Sequence, residues 1–156
     1  MAEHTFPGPE FPGPLSVRIS LPDGWRPLQL PGVAMAFVDG GSPEGVPANI
    51  VVLVSRVADS ATLDDLAAAV REQTAGSQVA TLSTDAPRIA GRQAIRTVIS
   101  AQAHAVSLIQ AQTVLSQESI VDGQLDVVQV HLTCRADQWP AQEKVLHQTL
   151  ATLAIG

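Results

Sequence analysis

From Arg92 to Arg135 the chain holds three long segments in which apolar residues alternate with polar ones, rather than recurring every three or four positions. In Leu125–Arg135, Val128, Val130, Leu132 and Cys134 fall on one face, and Gln129, His131, Thr133 and Arg135 fall on the other. That is the period of a strand with one face against a core. Ala105–Gln117 alternates less cleanly: Ile109, Ala111, Thr113 and Leu115 share one side, while Val106, Leu108 and Val114 occupy the other. It reads as a central strand covered, at least in part, on both faces. Arg92–Gln102 precedes it, and Asp122-Gly123 supplies the positive φ that a hairpin connection before Leu125 needs. Three strands of this length, adjacent in sequence, place an antiparallel sheet at the centre of any fold the chain adopts.

The rest of the chain adds strands and two helices. Leu15, Val17, Ile19 and Leu21 alternate with Ser16, Arg18 and Ser20, so Leu15–Leu21 is expected as a first strand, turned by Pro22-Asp23-Gly24 ahead of Trp25. Short strands follow over Arg26–Leu30 and Val33–Val38, and turn-forming residues fill Gly41–Ala48. Asn49–Val57, with almost no alternation, reads as a strand buried on both faces. Thr62 and Asp65 have capping-box spacing; Leu63, Leu66, Ala67 and Val70 form the apolar stripe of a helix that Gly76 would end. Ser77–Ser83 is a further candidate strand. A last helix begins near Asp137, tolerates Pro140 in its first turn and aligns Trp139, Leu146, Leu150 and Leu153. The expected class is therefore α+β, with a mainly antiparallel sheet of six or seven strands and two principal helices in one domain over residues 15–156.

Ahead of that domain, Phe6-Pro7-Gly8-Pro9 and Phe11-Pro12-Gly13-Pro14 form a tandem repeat. Proline bars regular hydrogen bonding and glycine restores freedom, so residues 1–14 read as a flexible arm. The sharper reading makes Phe6 and Phe11 apolar anchors that dock into a groove of this or a neighbouring subunit.

The 156 residues carry 15 acidic against 9 basic side chains, a net charge of −6, with the arginines scattered along the sequence. A nucleic-acid backbone would be repelled, so no nucleic-acid partner is expected. The first fourteen residues show neither a basic region nor an apolar one of signal-peptide type, and no apolar run approaches a membrane span. Membrane insertion is not expected, and the expected location is the cytoplasm. Cys134 is the one cysteine, and its phase places it inward as a buried thiol.

Catalytic signatures are weak. The chain has no G-x-S-x-G elbow and no phosphate-loop context for Gly40-Gly41 or Gly123. His4, His104, His131 and His147 are far apart, with no second His or Cys at ligand spacing. His131 and His147 read as solvated histidines. No enzyme activity, cofactor or metal is expected. The unusual polar residue is glutamine: Gln102, Gln110, Gln112, Gln117, Gln124 and Gln129 line the long strands and their turns. An uncharged face is covered by a partner at lower desolvation cost than a charged one. Arg92, Arg96, Gln110, Gln112, Gln129 and His131, with Phe6 and Phe11 on the arm, are accordingly the candidate partner-binding residues. A protein partner or a homodimer is expected. The competing reading is a small-molecule carrier or enzyme, with a pocket between sheet and terminal helix near Trp25, Trp139 and His131.

Leu21-Pro22-Asp23-Gly24-Trp25, Pro47-Ala48-Asn49-Ile50-Val51-Val52, Leu63 and Leu66 of the first helix, and Val127-Val128-Gln129-Val130-His131-Leu132-Thr133 before the last one together resemble the actinobacterial LpqN lipoprotein family over roughly residues 15–155. The resemblance implies the α/β/α sandwich of the photosystem PsbP protein and a non-catalytic binding, assembly or secretion-associated role. A bacterial chaperone branch with a similar sandwich shields apolar segments of secreted proteins. The family's lipidated cysteine is not matched, because no cysteine precedes Cys134, so lipid anchoring is not implied.

Overall fold

The computed structural model describes the 156 residues apart from Phe11, Pro14, residues 42–45, residues 75–78 and His104. The anchor expected at Phe11, the helix end expected at Gly76 and the first two residues of the strand expected at Ser77–Ser83 therefore lie outside the described residues.

Alternation in the sequence becomes a sheet whose central strands are β7 (Arg92–Ala103), β8 (Val106–Glu118) and β9 (Gln124–Arg135). All pair antiparallel, β7 with β8 from Ala94↔Leu115 to Ala103↔Val106 and β8 with β9 from Leu108↔Arg135 to Glu118↔Leu125. Gly123, at φ 74°, takes the left-handed conformation its turn requires, although the loop from β8 spans five residues, 119–123, rather than two. Beyond β9 lie β4 (Asn49–Ala58), β3 (Met35–Asp39) and β2 (Trp25–Pro27); beyond β7 lies β5 (Ala80–Asp85). The order β2-β3-β4-β9-β8-β7-β5 makes a seven-strand path, and β6 (Arg88–Ile89) pairs with β7 off it, giving eight strands in all. The α+β class holds, with one strand more than expected.

One helix packs on each face. Helix α1 (Leu63–Gln73) starts at Thr62, whose hydroxyl accepts from the Asp65 amide at 3.1 Å while Asp65 Oδ2 accepts from the Thr62 amide at 3.3 Å. This is the capping box read from the sequence. The helix packs across β7 and β8, with Val70, Leu63 and Leu66 against Val114, Val127 and Val57. Helix α2 (Trp139–Ala151) follows a single 3₁₀ turn, Ala136–Gln138, and covers the other face. There Leu146, Leu150 and Leu153 meet Ile50, Val52, Ile109, Ala111, Leu115, Val128, Val130, Leu132 and Cys134 in the main core. Cys134 is fully buried, and burial together with the Asp137 carboxylate pushes its thiol up to about 11.

Two expectations about strands change. Leu15–Leu21 contributes only β1 (Val17–Arg18), which pairs outside the main sheet with β10 (Ala154–Ile155), a strand the sequence reading did not foresee. Its alternation still has meaning, since Leu15, Val17, Ile19 and Leu21 all pack on the main core. Asn49–Val57 is not buried on both faces: Ile50 and Val52 are fully buried on the side of α2, whereas Val51 and Leu53 are half-exposed on the side of α1, which packs mainly on β7 and β8 and has β4 at its apolar cluster through Val57.

Candidate functional site

The candidate residues divide among three places. Register assigns Arg92 and Arg96 to the α2 face, in phase with buried Ala94 and Val98, whereas Gln110, Gln112, Gln129 and His131 lie on the α1 face. Phe6, on the arm, is 71% exposed. The expected single surface is thus not one surface.

Gln110 and Gln112 serve the fold itself. Gln112 is 1% exposed and donates its Nε2 to Thr74 Oγ1 and to Gln110 Oε1, both at 2.8 Å. Gln110 in turn donates to Thr133 Oγ1 at 3.0 Å, and the Thr74 hydroxyl donates to Arg71 O at 2.9 Å. This chain of amides and hydroxyls ties the C-terminal end of α1 to β8 and β9. The sequence showed an outward phase for Gln112 but not the helix that covers it.

Next to α1, the strip of β4 and β9 that the helix leaves uncovered carries Val51, Leu53, Gln129 and His131, all half-buried. They are cross-strand neighbours, Val51↔His131 and Leu53↔Gln129. His131 Nε2 lies 3.0 Å from Gln129 Oε1, which only accepts, so the neutral ring carries its hydrogen there. Burial pushes the His131 imidazole down to about 4, so the expectation of a solvated histidine gives way to a neutral, largely desolvated one. The strip is therefore uncharged at neutral pH. Val51 and Leu53 were missed as surface residues because an unbroken apolar run looks the same whether its second face is covered or open.

On the opposite face, His131 is separated by the sheet from Trp25 and Trp139, which pack on the main core. The pocket expected among these three residues does not form. A different hollow, of about 400 Å³, lies beside α2 and is lined by Arg88, Ile89, Arg96, His147 and Leu150. Arg96 holds Asp85 in a bidentate pair, Nε to Oδ1 at 3.1 Å and Nη2 to Oδ2 at 2.8 Å, and its Nη1 donates to His147 Nε2 at 2.6 Å. Another hollow, about 700 Å³ and open to solvent, is lined by Pro27, Leu28, Leu30, Val33, Met35 and Phe37 among others.

At the end of β4, Arg56 closes on buried Asp126, Nε to Oδ1 at 2.7 Å, and donates to the carbonyls of Pro12 at 2.8 Å and Gly13 at 3.0 Å. The last part of the arm is thereby held against the domain. Among the described residues, no cluster of three His, Cys, Asp or Glu could hold a metal ion, and no helix is long and apolar enough to cross a membrane.

No protein-family profile and no curated protein matches this chain. Solved structures do. LpqN of Mycobacterium tuberculosis, described as involved in cell envelope biogenesis, matches with a TM-score of 0.77 at 19% identity, covering 92% of this chain and 85% of that one. The cyanobacterial PsbP of Synechocystis matches at 0.56 and 15% identity over 100% and 99% of the two chains. The Saccharomyces cerevisiae Ran-binding protein Mog1p matches at 0.59 and 12% identity over 88% and 89%. At these identities the likeness is one of fold, and the fold of this chain is the LpqN-like, PsbP-like α+β sandwich.

Proposed function

We propose that this protein is a non-catalytic assembly module that uses the open strip of β4 and β9 to bind protein, foremost a second copy of itself. The observation that carries the reading is the composition of the strip: Val51 and Leu53 beside neutral Gln129 and His131, half-exposed in a chain whose net charge is −6. Covering such a strip removes apolar surface from water without stripping water from any formal charge. Among the similar structures, the Ran-binding protein Mog1p supports the coarser part of this reading, a protein-binding role. A secretion-associated or chaperone role is the finer form of this proposal, with exposed Phe6 as a second anchor for a client segment.

Sedimentation across a wide concentration range tests the self-association directly. The wild-type chain is expected to shift from monomer to dimer, and Leu53→Glu to remain a monomer with an unchanged circular dichroism spectrum. A wild-type chain that stays monomeric throughout, or a Leu53→Glu variant that dimerises as well as the wild type, refutes the homodimer.

A further inference from the structure

Three of the nine basic residues, Arg88, Arg92 and Arg96, stand four apart in sequence on either side of one turn. The turn is Ala90-Gly91, between β6 and β7, with φ of 53° and 73°. Both of its carbonyls are used to hold a guanidinium: Gly91 O accepts from Arg88 Nη2 at 2.7 Å, and Ala90 O accepts from Arg92 Nη1 at 3.1 Å. Neither Arg88 nor Arg92 has a carboxylate partner among the described residues; only Arg96 does, in Asp85.

The hollow beside this turn is lined by charged and by apolar residues together. Arg88, Arg96 and His147 contribute the polar lining; Pro87, Ala90 and Ala151 contribute the accessible apolar lining, over the buried Ile89 and Leu150. Of the five N–H donors of a guanidinium, Arg96 commits three, two to Asp85 and one to His147, which leaves two uncommitted. Arg88 commits one, to Gly91 O. The Asp85 pair fixes the Arg96 fork, whose side chain is only 16% exposed, so little side-chain freedom remains to be lost when an acceptor arrives. His147, accepting from Arg96 through Nε2, carries its own hydrogen on Nδ1 as a further donor.

We infer that this hollow, bounded by Arg88, Arg96 and His147, binds a small amphiphile whose oxyanion, a carboxylate or a phosphate monoester, bridges the two guanidiniums while a short apolar chain lies along Pro87, Ala90 and Ala151. Two arginines suit such a group because planar forks accept carboxylate and phosphate oxygens in pairs. The volume, about 400 Å³, exceeds what a bare ion needs and leaves room for a short chain. The site lies across the sheet from the β4 and β9 strip, so it stands or falls independently of the proposed assembly surface.

Isothermal titration with octanoate, octyl phosphate, octanol and inorganic phosphate tests the inference on the full chain. Octanoate or octyl phosphate, or both, should bind with one-to-one stoichiometry, and whichever binds more tightly identifies the oxyanion. Octanol and inorganic phosphate should bind at least about tenfold more weakly, because each lacks one half of the recognition. Arg88 is exposed and outside any core, so Arg88→Gln should stay folded and weaken the amphiphile about tenfold or more. Arg96→Lys keeps the charge but removes the fork and should weaken it as well, with folding checked by its melting curve. Absence of binding by both amphiphiles, equal binding of octanol, tighter binding of bare phosphate, or an unchanged affinity in folded Arg88→Gln overturns the proposal.

Discussion

His131 shows how one side chain can couple the open strip to pH. Its imidazole is pushed down to about 4 by burial, against the ordinary 6.5 of the unfolded chain. Above pH 6.5 both states are neutral and the fold keeps its full stability. Between 6.5 and 4 the unfolded chain takes up a proton that the folded one refuses, so stability falls as pH falls. The loss should approach roughly 2–3 kcal/mol near pH 4. Urea denaturation at pH 7 and pH 4.5 should show that drop, and His131→Gln should reduce it. An equal drop in the variant would assign the pH dependence to other groups. Arg56 is the second decisive side chain. Asp126 is 2% exposed, and Arg56→Met would strand its carboxylate in the interior at a cost of about 3–5 kcal/mol. Arg56→Met combined with Asp126→Leu should recover most of that loss in the same denaturation assay.

Local signals and tertiary outcome agree best in the helices. Thr62, Asp65 and the Leu63-Leu66-Ala67-Val70 stripe carry both the start and the buried side of α1, because capping and helical periodicity act within a few residues. Thr62→Ala should therefore lower stability by about 1 kcal/mol, read as a shift in the denaturation midpoint without a change in slope. Strands are legible in phase but less so in extent. The phase of Leu15–Leu21 correctly names the residues that face the core, yet only Val17–Arg18 forms a strand, and its partner is the far end of the chain. Ser16 strengthens this closure, exchanging backbone hydrogen bonds with Gly156 at 2.9 and 3.0 Å. Nothing within a dozen residues of either end announces the pairing. The glutamines fail for a related reason: alternation says that Gln112 points away from the main core, but whether water or α1 lies there is a property of the crossover, not of the strand.

Across the whole molecule, the C-terminus and the last part of the arm are drawn onto one body. Residues 1–14 read as a flexible arm, yet Pro12 and Gly13 supply two of the acceptors that satisfy Arg56. Deleting residues 1–14 should lower the melting temperature by about 3–6 °C, through the loss of two charge-assisted hydrogen bonds beside a buried carboxylate. An unchanged melting curve would mean that water replaces both carbonyls at no cost. By itself the sequence determined the α+β class, the inward faces of β8, β9 and α2, and the cap of α1, because each follows from periodicity or from contacts within one turn. Tertiary structure alone decided which outward faces meet water. It buried Gln112 under α1, left Val51 and Leu53 open beside His131, and set Arg88, Arg96 and His147 around one hollow, because these neighbours come from strand register and helix placement between residues up to 80 positions apart.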